Sequence, residues 1–550
     1  MEIKSIRAGV LAKMYLAGAK YLEKRSSEIN ELNVFPVPDG DTGTNMTMTV
    51  MSAAREVIAL GSDPDMKALC KAISGGSLRG ARGNSGVILS QLLRGFTKVV
   101  KTSDEITVPI LAESFDRAAE TAYKAVMKPK EGTILTVARR AADKGIESAK
   151  ETDDIIVFLS DVFNEAEATL KETPDMLPVL KEAGVVDSGG AGLLEILRGA
   201  LDFLNGRDID LTIKDTDDGK EKASEDAAQY RYHMSFKLYP EGQTLEKRKE
   251  EYNKFLAAVG VNFTNINNDS FIETSIDTNV PGEVLTKAVS LGIIDEISIV
   301  NTKPVVKSEN KENLETEDAS DASQKEISAE KAKAGFVAVC AGDGMAEIFK
   351  EIGADQVISG GQTMNPSAGD ILSAVDKVNA DTVFVLPNNK NIILAANQAA
   401  EMSKDKKILV VPSKTIPQGI TALVNFIQDE TPEENLSNMI SEMSSVKTGE
   451  VTYAVRDTVI DGKQIKKDDY IGIGDEGLIS NSSDMNTLFH DMMKQMISEE
   501  SSLVSIYYGQ DVNPADAEDI ANLIRSDFPE IEVETESGGQ PVYYYIISVE

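Results

Sequence analysis

Residues 306–334 (VKSENKENLETEDASDASQKEISAEKAKA) hold almost no large apolar side chains. Such a stretch cannot bury enough surface to offset the conformational entropy lost on ordering. We read it as a flexible acidic linker between a middle and a C-terminal domain. A chain of 550 residues, at roughly 100–200 residues per domain, implies about three or four domains.

Residues 1–205 predict an all-α domain. Ile3, Ile6, Val10, Met14 and Ala17 lie on one helical stripe, stretches 53–60, 87–100 and 111–127 have helical periodicity, and strand-like alternation is missing. Residues 206–228 are polar and read as a connector. Residues 229–305 predict a small α+β middle domain, with strands at 232–238, 271–276 and 296–300 and helices at 245–259 and from Pro281 into Leu291. Residues 335–550 predict an α/β domain. Apolar runs at 336–340, 382–386 and 408–411 are each followed by a polar loop and a helix. That order implies a parallel sheet with crossover helices and functional loops at the carboxyl ends of the strands. Beyond Gly449 the pattern turns β-rich and ends in PVYYYIISVE.

The formal charge is −34. Such a chain repels phosphate backbones and anionic lipid, which argues against nucleic acid and membrane-surface partners. The charge serves solubility or presents an acidic face to a basic partner. Cys70 and Cys340 are far apart, neither a disulfide framework nor a metal cluster. No signal-peptide core and no stretch near the ~20 apolar residues of a membrane span is found, so a cytoplasmic protein is expected. His233 and His490 are the only histidines, and neither sits in a neighbourhood that marks a nucleophile or base.

The most informative stretch is NVFPVPDGDTGTNM, residues 33–46. Asp39 and Asp41 flank one Gly, and carboxylates are hard oxygen ligands of the kind that hold Mg2+ together with substrate phosphates. Thr42, Thr44 and Asn45 add polar groups suited to phosphate oxygens. On spacing alone the Asp-Gly pair suits a plain polar turn better than a metal site. A second Gly-rich segment, residues 74–91, carries Arg79 and Arg82 and lacks the Gly-Lys-Ser/Thr element of a Walker A loop. Its exposed backbone N–H groups suit phosphate as well as they suit a structural helix connection. Two more polar, Gly-containing loops follow, KPKEGTILT at 128–136 and VVDSGGAG at 185–192. Four such loops in one helical domain point to one end of a bundle.

Taken together, these loops resemble the nucleotide-binding L subunit of bacterial dihydroxyacetone kinases, a helical bundle that holds ATP and Mg2+ through acidic side chains at one end. The resemblance implies Mg2+ ligands at Asp39 and Asp41, with Asn33 as a third position of different type and spacing. It implies nucleotide or phosphate contacts from Thr42, Gly43, Thr44, Asn45, Asn84, Ser85, Thr133, Ile134, Asp187, Ser188 and Gly189. Arg82 or Arg79 is assigned to the transferring phosphoryl group. Further motifs, GGQTMNPS at 360–367, LPNNKNIILAA at 386–396, VPSKTIPQG at 411–419 and the terminal GGQPVYYYIISVE, resemble the C-terminal domain of the ATP-binding subunit of bacterial fatty acid kinase. That resemblance covers nearly the whole chain. It implies phosphorylation of a fatty acid carboxylate presented by a separate acyl-binding protein, an acyl phosphate product for phospholipid synthesis, and a homodimer.

The middle domain departs from that family, which often carries a Cys and a His-x-His pair suggestive of zinc. The corresponding positions here fall at His233, Ser275 and Asp277, too thin a set for a four-ligand site, so a packed or hydrogen-bonded His233 is expected instead. A glycerone kinase would hold its ketone covalently on a His, and His490 in LFHDMMKQM reads as part of an ordinary amphipathic helix. A non-catalytic nucleotide-binding regulator is the other alternative. A carboxylate acceptor is already ionised at neutral pH and needs no general base, which suits a chain so poor in His. The helical domain shows no apolar surface to spare for an acyl chain, which is expected to lie in the partner, with the C-terminal domain as its docking surface.

Overall fold

The structure is a computed structural model whose backbone is described for residues 2–33, 40–126, 129–213, 232–240, 252, 254–256, 259–267, 272–301, 331–361, 364–454, 457–460, 463–475 and 477–550. Its contacts divide the chain into two compact units, residues 1–213 with 328–550, and residues 214–327. Most of the segment read as a linker, and Asp39, lie outside the described residues; Ala332–Ala334 belong to the first strand of the C-terminal half.

The N-terminal half of the first unit is helical: α1 (Ala8–Glu31), α2 (Thr42–Ala59), α3 (Met66–Arg79), α4 (Gly83–Val100), α5 (Val108–Ala125), α6 (Ile134–Ser148), α7 (Ile155–Met176), the short α8 (Pro178–Ala183) and α9 (Ser188–Leu204). A pair of two-residue strands, β1 (Ile6–Arg7) and β2 (Glu105–Ile106), ties the N-terminus to the α4–α5 connection. Short connections make successive helices antiparallel neighbours. Each long helix packs on the next, and α9 returns to α1, so the helices close into a ring. An apolar cavity of about 140 Å³ lies inside it, lined by Leu11, Met14, Leu89, Phe96, Phe115 and Leu193 among others. This corrects the expectation that the bundle has no apolar space to spare. The space compares with an engineered cavity that binds benzene, at about 150 Å³, and is small for a long acyl chain.

The second unit holds a four-stranded antiparallel sheet of β3 (Tyr232–Pro240), β4 (Gly260–Asn267), β5 (Ile272–Thr278) and β6 (Gly292–Asn301), in the order β4-β5-β3-β6, with α10 (Pro281–Val289). Met234, Phe236, Leu238, Tyr252, Leu256, Ile276 and Val284 form its core. Strand β4 has no counterpart in the sequence reading. The segment 245–259 is helical where it is described.

The C-terminal half of the first unit begins with the expected parallel sheet: β7 (Ala332–Cys340), β8 (Gln356–Ser359), β9 (Ala380–Leu386) and β10 (Lys407–Val410), in the order β10-β9-β7-β8. Helices α11 (Asp343–Glu351), α12 (Ala368–Lys377) and α13 (Ile393–Met402) are its crossovers, and α14 (Ile416–Val424) and α15 (Pro432–Met443) follow. Strand β8 escaped the sequence reading because it is short and only partly buried. A second sheet takes β11 (Lys447–Tyr453), β14 (Tyr470–Gly474), β15 (Gly477–Ser482), β16 (Leu503–Tyr508), β17 (Glu532–Ser537) and β18 (Tyr545–Val549), in the order β15-β14-β11-β18-β16-β17, beside a small hairpin of β12 (Thr458–Ile460) and β13 (Lys463–Ile465). Only β16 and β17 run parallel, joined through α17 (Pro514–Asp527). The helix α16 (Met485–Met496) buries Leu488, Phe489 and Met492 and leaves His490 beside Asp527, Nδ1 to Oδ2 2.6 Å.

The two halves of the first unit share a core. Ala81 and Val87 of the helical half pack with Val337, Ile371, Val383, Val385 and Ala396 of the parallel sheet and its helices. Side-chain amides clasp the seam. Gln398 donates to the Leu78 carbonyl and accepts from Ser90 and Gln91 at 3.3 Å, and Asn84 donates to Asn391 at 3.0 Å. The backbone N–H of Ala368 donates to the Ala81 carbonyl at 3.2 Å.

Candidate phosphate and cation site

The four Gly-rich segments are read from sequence as loops; the structure keeps loop at 80–82, 129–133 and 185–187 and places the residues after them in helix first turns. Thr42, Gly43, Thr44 and Asn45 form the first turn of α2, Gly83, Asn84 and Ser85 that of α4, and Ser188 and Gly189 that of α9, while Thr133 is the residue preceding α6, which Ile134 opens. Glycine is a loop signal because of its backbone freedom. Here Gly43 serves close approach: a Cβ on it would lie 2.1 Å from the Ser26 carbonyl oxygen of α1. Gly83 does need that freedom, with φ +58° where α4 begins against the Asn45 side chain.

These first turns meet. Asn45 lies against Gly83, bringing α2 to α4. Asp187 precedes α9 and accepts from the Gly190 N–H at 2.7 Å and from the backbone of Ile134, bringing α9 to α6. Gly192 faces the Met46 thioether, closing α9 onto α2. Each helix start leaves N–H groups without intrahelical acceptors and carries the positive end of its dipole. Four together make an end of the bundle that attracts anions.

The acidic groups have distinct surroundings. Asp41 is buried, and its carboxylate does not cap α2. Its Oδ2 accepts from Asn365 Nδ2 at 2.6 Å, a residue of the C-terminal half. Burial pushes the Asp41 carboxyl above its ordinary range, against the pull of the Asn45 and Asn365 amides. Burial likewise pushes Asp187 up to about 6, against the N–H groups it accepts from. Thr44 is fixed by Asn30 of α1, which accepts from its N–H at 3.1 Å and donates to its Oγ1 at 2.9 Å. Thr133 donates to the Lys130 carbonyl at 2.8 Å, and the Asn33 N–H donates to the Asn30 carbonyl at 3.0 Å.

Arg82 is turned toward the C-terminal half, donating to the Asn365 carbonyl at 3.2 Å and lying 3.5 Å from Asp370. Arg79 pairs with Glu56 at the surface. Among the described residues no three Asp, Glu, His or Cys side chains converge as a metal cluster. The donors that are described suit a hard cation. Asp41 offers a buried carboxylate, and Asn365 Oδ1, on the amide bonded to it, is a buried acceptor with no donor among the described residues. In the second unit the His233 backbone pairs with Asp277 across β3 and β5. Asp277 is buried, and the His233 side chain lies outside the described residues.

Sequence reasoning missed Asn30 and Asn365. Asn365 stands in the GGQTMNPS motif without an assigned role, and the pattern around Asn30 carries no signal. The carboxyl ends of β7, β8 and β9 border a pocket of about 190 Å³ that includes Cys340, Gly361, Asn389, Glu450 and Tyr543, where strand-end loops are expected to be functional. Burial pushes Glu450 there up to about 7, opposed by its bond from Tyr543.

Two family models match the chain, the DAK2 domain at residues 36–202 and the FakA-like C-terminal domain of fatty acid kinase at residues 335–550. Protein YloV of Bacillus subtilis strain 168 is 43% identical over all of both chains. An uncharacterized protein of Staphylococcus aureus strain USA300 is 39% identical over the same full extent. Among solved structures, the C. freundii dihydroxyacetone kinase in complex with AMP-PNP and Mg2+ is 19% identical, with 35% of this chain and 33% of that chain covered at a TM-score of 0.27.

Proposed function

Since this chain belongs to the FakA-like family of fatty acid kinase proteins, we propose that it transfers the γ-phosphoryl group of ATP to the carboxylate of a fatty acid held by a separate acyl-binding protein. The product is then an acyl phosphate for phospholipid synthesis. The observation that carries the reading is the meeting of four helix first turns beside Asp41 and Asp187. Phosphoryl transfer asks a protein chiefly for positioning and charge neutralisation, and this bundle end supplies both.

In this reading Asp39 and Asp41 hold Mg2+, with Asn33 as a weaker third. The ion when bound neutralises phosphate charge. The first turns at Thr42, Gly43, Thr44 and Asn45, at Asn84 and Ser85, at Thr133 and Ile134, and at Asp187, Ser188 and Gly189 receive the nucleotide phosphates through their N–H groups and hydroxyls. Arg82 stands at the seam of the two halves and stabilises the transferring group. The fatty acid carboxylate is ionised at neutral pH, so no base is required of His233 or His490. The described residues contain no helix long and apolar enough to cross a membrane, and the acyl chain is placed in the partner. The test is acyl phosphate formation from ATP and Mg2+ with a fatty-acid-loaded acyl-binding protein. Absence of product, with the loaded partner present in excess, overturns the reading.

A further inference from the structure

We infer that Asn365, carried by the C-terminal half, is a positioning residue for the cation site of the helical half, holding the Asp41 carboxylate and presenting its own Oδ1 beside it. The inference rests on the kinase reading of the Asp41 site and extends it across the seam. Asn365 is 2% exposed and Asp41 7%, and the 2.6 Å bond from Nδ2 to Oδ2 joins them. Hydrogen bonds to an ionised acceptor are short and strong, so this one fixes the carboxylate's rotation.

Asn365 is itself held in place. Its carbonyl accepts from Arg82, Pro366 restricts its backbone, and Ser367 opens α12 with a capping box to Asp370. Arg82 approaches Asp370 as well, so one guanidinium grips both sides of the turn. The amide is therefore placed by the turn before α12 together with Arg82 of the helical half, at the seam between the two.

A plain interface bond does not explain the rest of the side chain. Asn365 Oδ1 is buried and accepts from no donor among the described residues. Leaving a buried acceptor unmade costs about 1–3 kcal/mol, and such atoms call for a missing partner. Next to a desolvated carboxylate, a second acceptor is complemented by a cation or by a water bound to one. Gln398 bridges the same seam with both of its amide atoms engaged on the helical half, at Leu78, Ser90 and Gln91. It serves as the internal control for interface strength alone.

The experiment uses the full chain and three variants, Asn365→Ala, Asn365→Asp and Gln398→Ala. Nucleotide binding is titrated with Mg2+ at fixed fluorescent ADP, and melting is followed with Mg2+ alone. Outer-shell partners of metal sites typically change metal affinity 10–100-fold. Asn365→Ala is expected to raise the half-saturating Mg2+ concentration at least tenfold, whereas Gln398→Ala lowers the melting temperature without moving it. Asn365→Asp sets two carboxylates side by side, so Mg2+ alone is expected to raise its melting temperature more than it raises that of the wild type. An unchanged Mg2+ requirement in Asn365→Ala, with a melting loss like that of Gln398→Ala, overturns the inference. If the wild type binds no nucleotide, the kinase reading fails, and the melting response of Asn365→Asp to Mg2+ alone still decides the role of Asn365: a response equal to the wild type's overturns it.

Discussion

Replacing Asp187 with Asn should stabilise the protein at neutral pH while weakening the proposed nucleotide site. Burial raises this carboxyl from 3.8 to about 6, so its ionisation is opposed in the folded state. A raised folded pKa of an acid contributes stability that is present below the unfolded value and lost as pH rises through the folded one. The loss therefore accumulates between about pH 4 and pH 6 and stays constant above. About two pKa units correspond to about 3 kcal/mol at most. Asp187 is only half-buried as a residue, and the α9 N-terminus favours its charge by about 0.3–1 kcal/mol, so about 1–2 kcal/mol is the fair expectation. Asn is also a good residue at a helix N-cap, so the bond from the Gly190 N–H survives the change. The assay is thermal unfolding of wild type and Asp187→Asn from pH 4 to pH 8. In a domain of 150–250 residues 1 kcal/mol moves the midpoint by roughly 2–4 °C, and less in a larger cooperative unit. The variant should match the wild type near pH 4 and melt about 2 °C higher or more at pH 8. A variant equally destabilised at both ends would refute the assignment of a strained charge at this helix start.

Asp39→Ala and Asp41→Ala should each abolish phosphoryl transfer, read as ATP-dependent product formation; near-normal turnover in either removes the cation-site assignment. A chain ending at residue 213 should keep its helical circular dichroism but melt lower or self-associate, because Ala81 and Val87 lose their core; melting equal to the full chain would show the seam to be dispensable. Limited proteolysis should cut first within residues 306–330, whose composition offers no apolar anchors; a first cut elsewhere counts against the linker. Purified protein should contain no stoichiometric zinc by elemental analysis, since His233 and Asp277 alone make too thin a ligand set; one zinc per chain would reverse this.

The sequence made the helical ring and the parallel sheet legible because both rest on long apolar periodicities, such as Ile6 to Ala17 and Phe336 to Cys340. It extended the Gly-rich loops over helix first turns because glycine signals a loop whether it bends the backbone, as at Gly83, or admits a neighbouring helix, as at Gly43. Strands β4 and β8 carry too little apolar patterning to stand out. The pairing of Asn365 with Asp41 was out of reach, since nothing local to either residue points to the other. The shared core had the same invisibility: Val87 looks like any apolar position on a helix until Val383 and Ala396 are placed against it.

That shared core also sets a clock during synthesis. Asn84 finds its partner Asn391 only 307 residues later in the chain. At about 5–20 residues per second, a ribosome needs roughly 15–60 s to cover that separation. Throughout that interval the helical ring has emerged with Val87 and Gln91 facing water or whatever binds them. A nascent helical half thus carries an uncovered apolar seam until the α/β half is made, and Asp41 meets Asn365 only then.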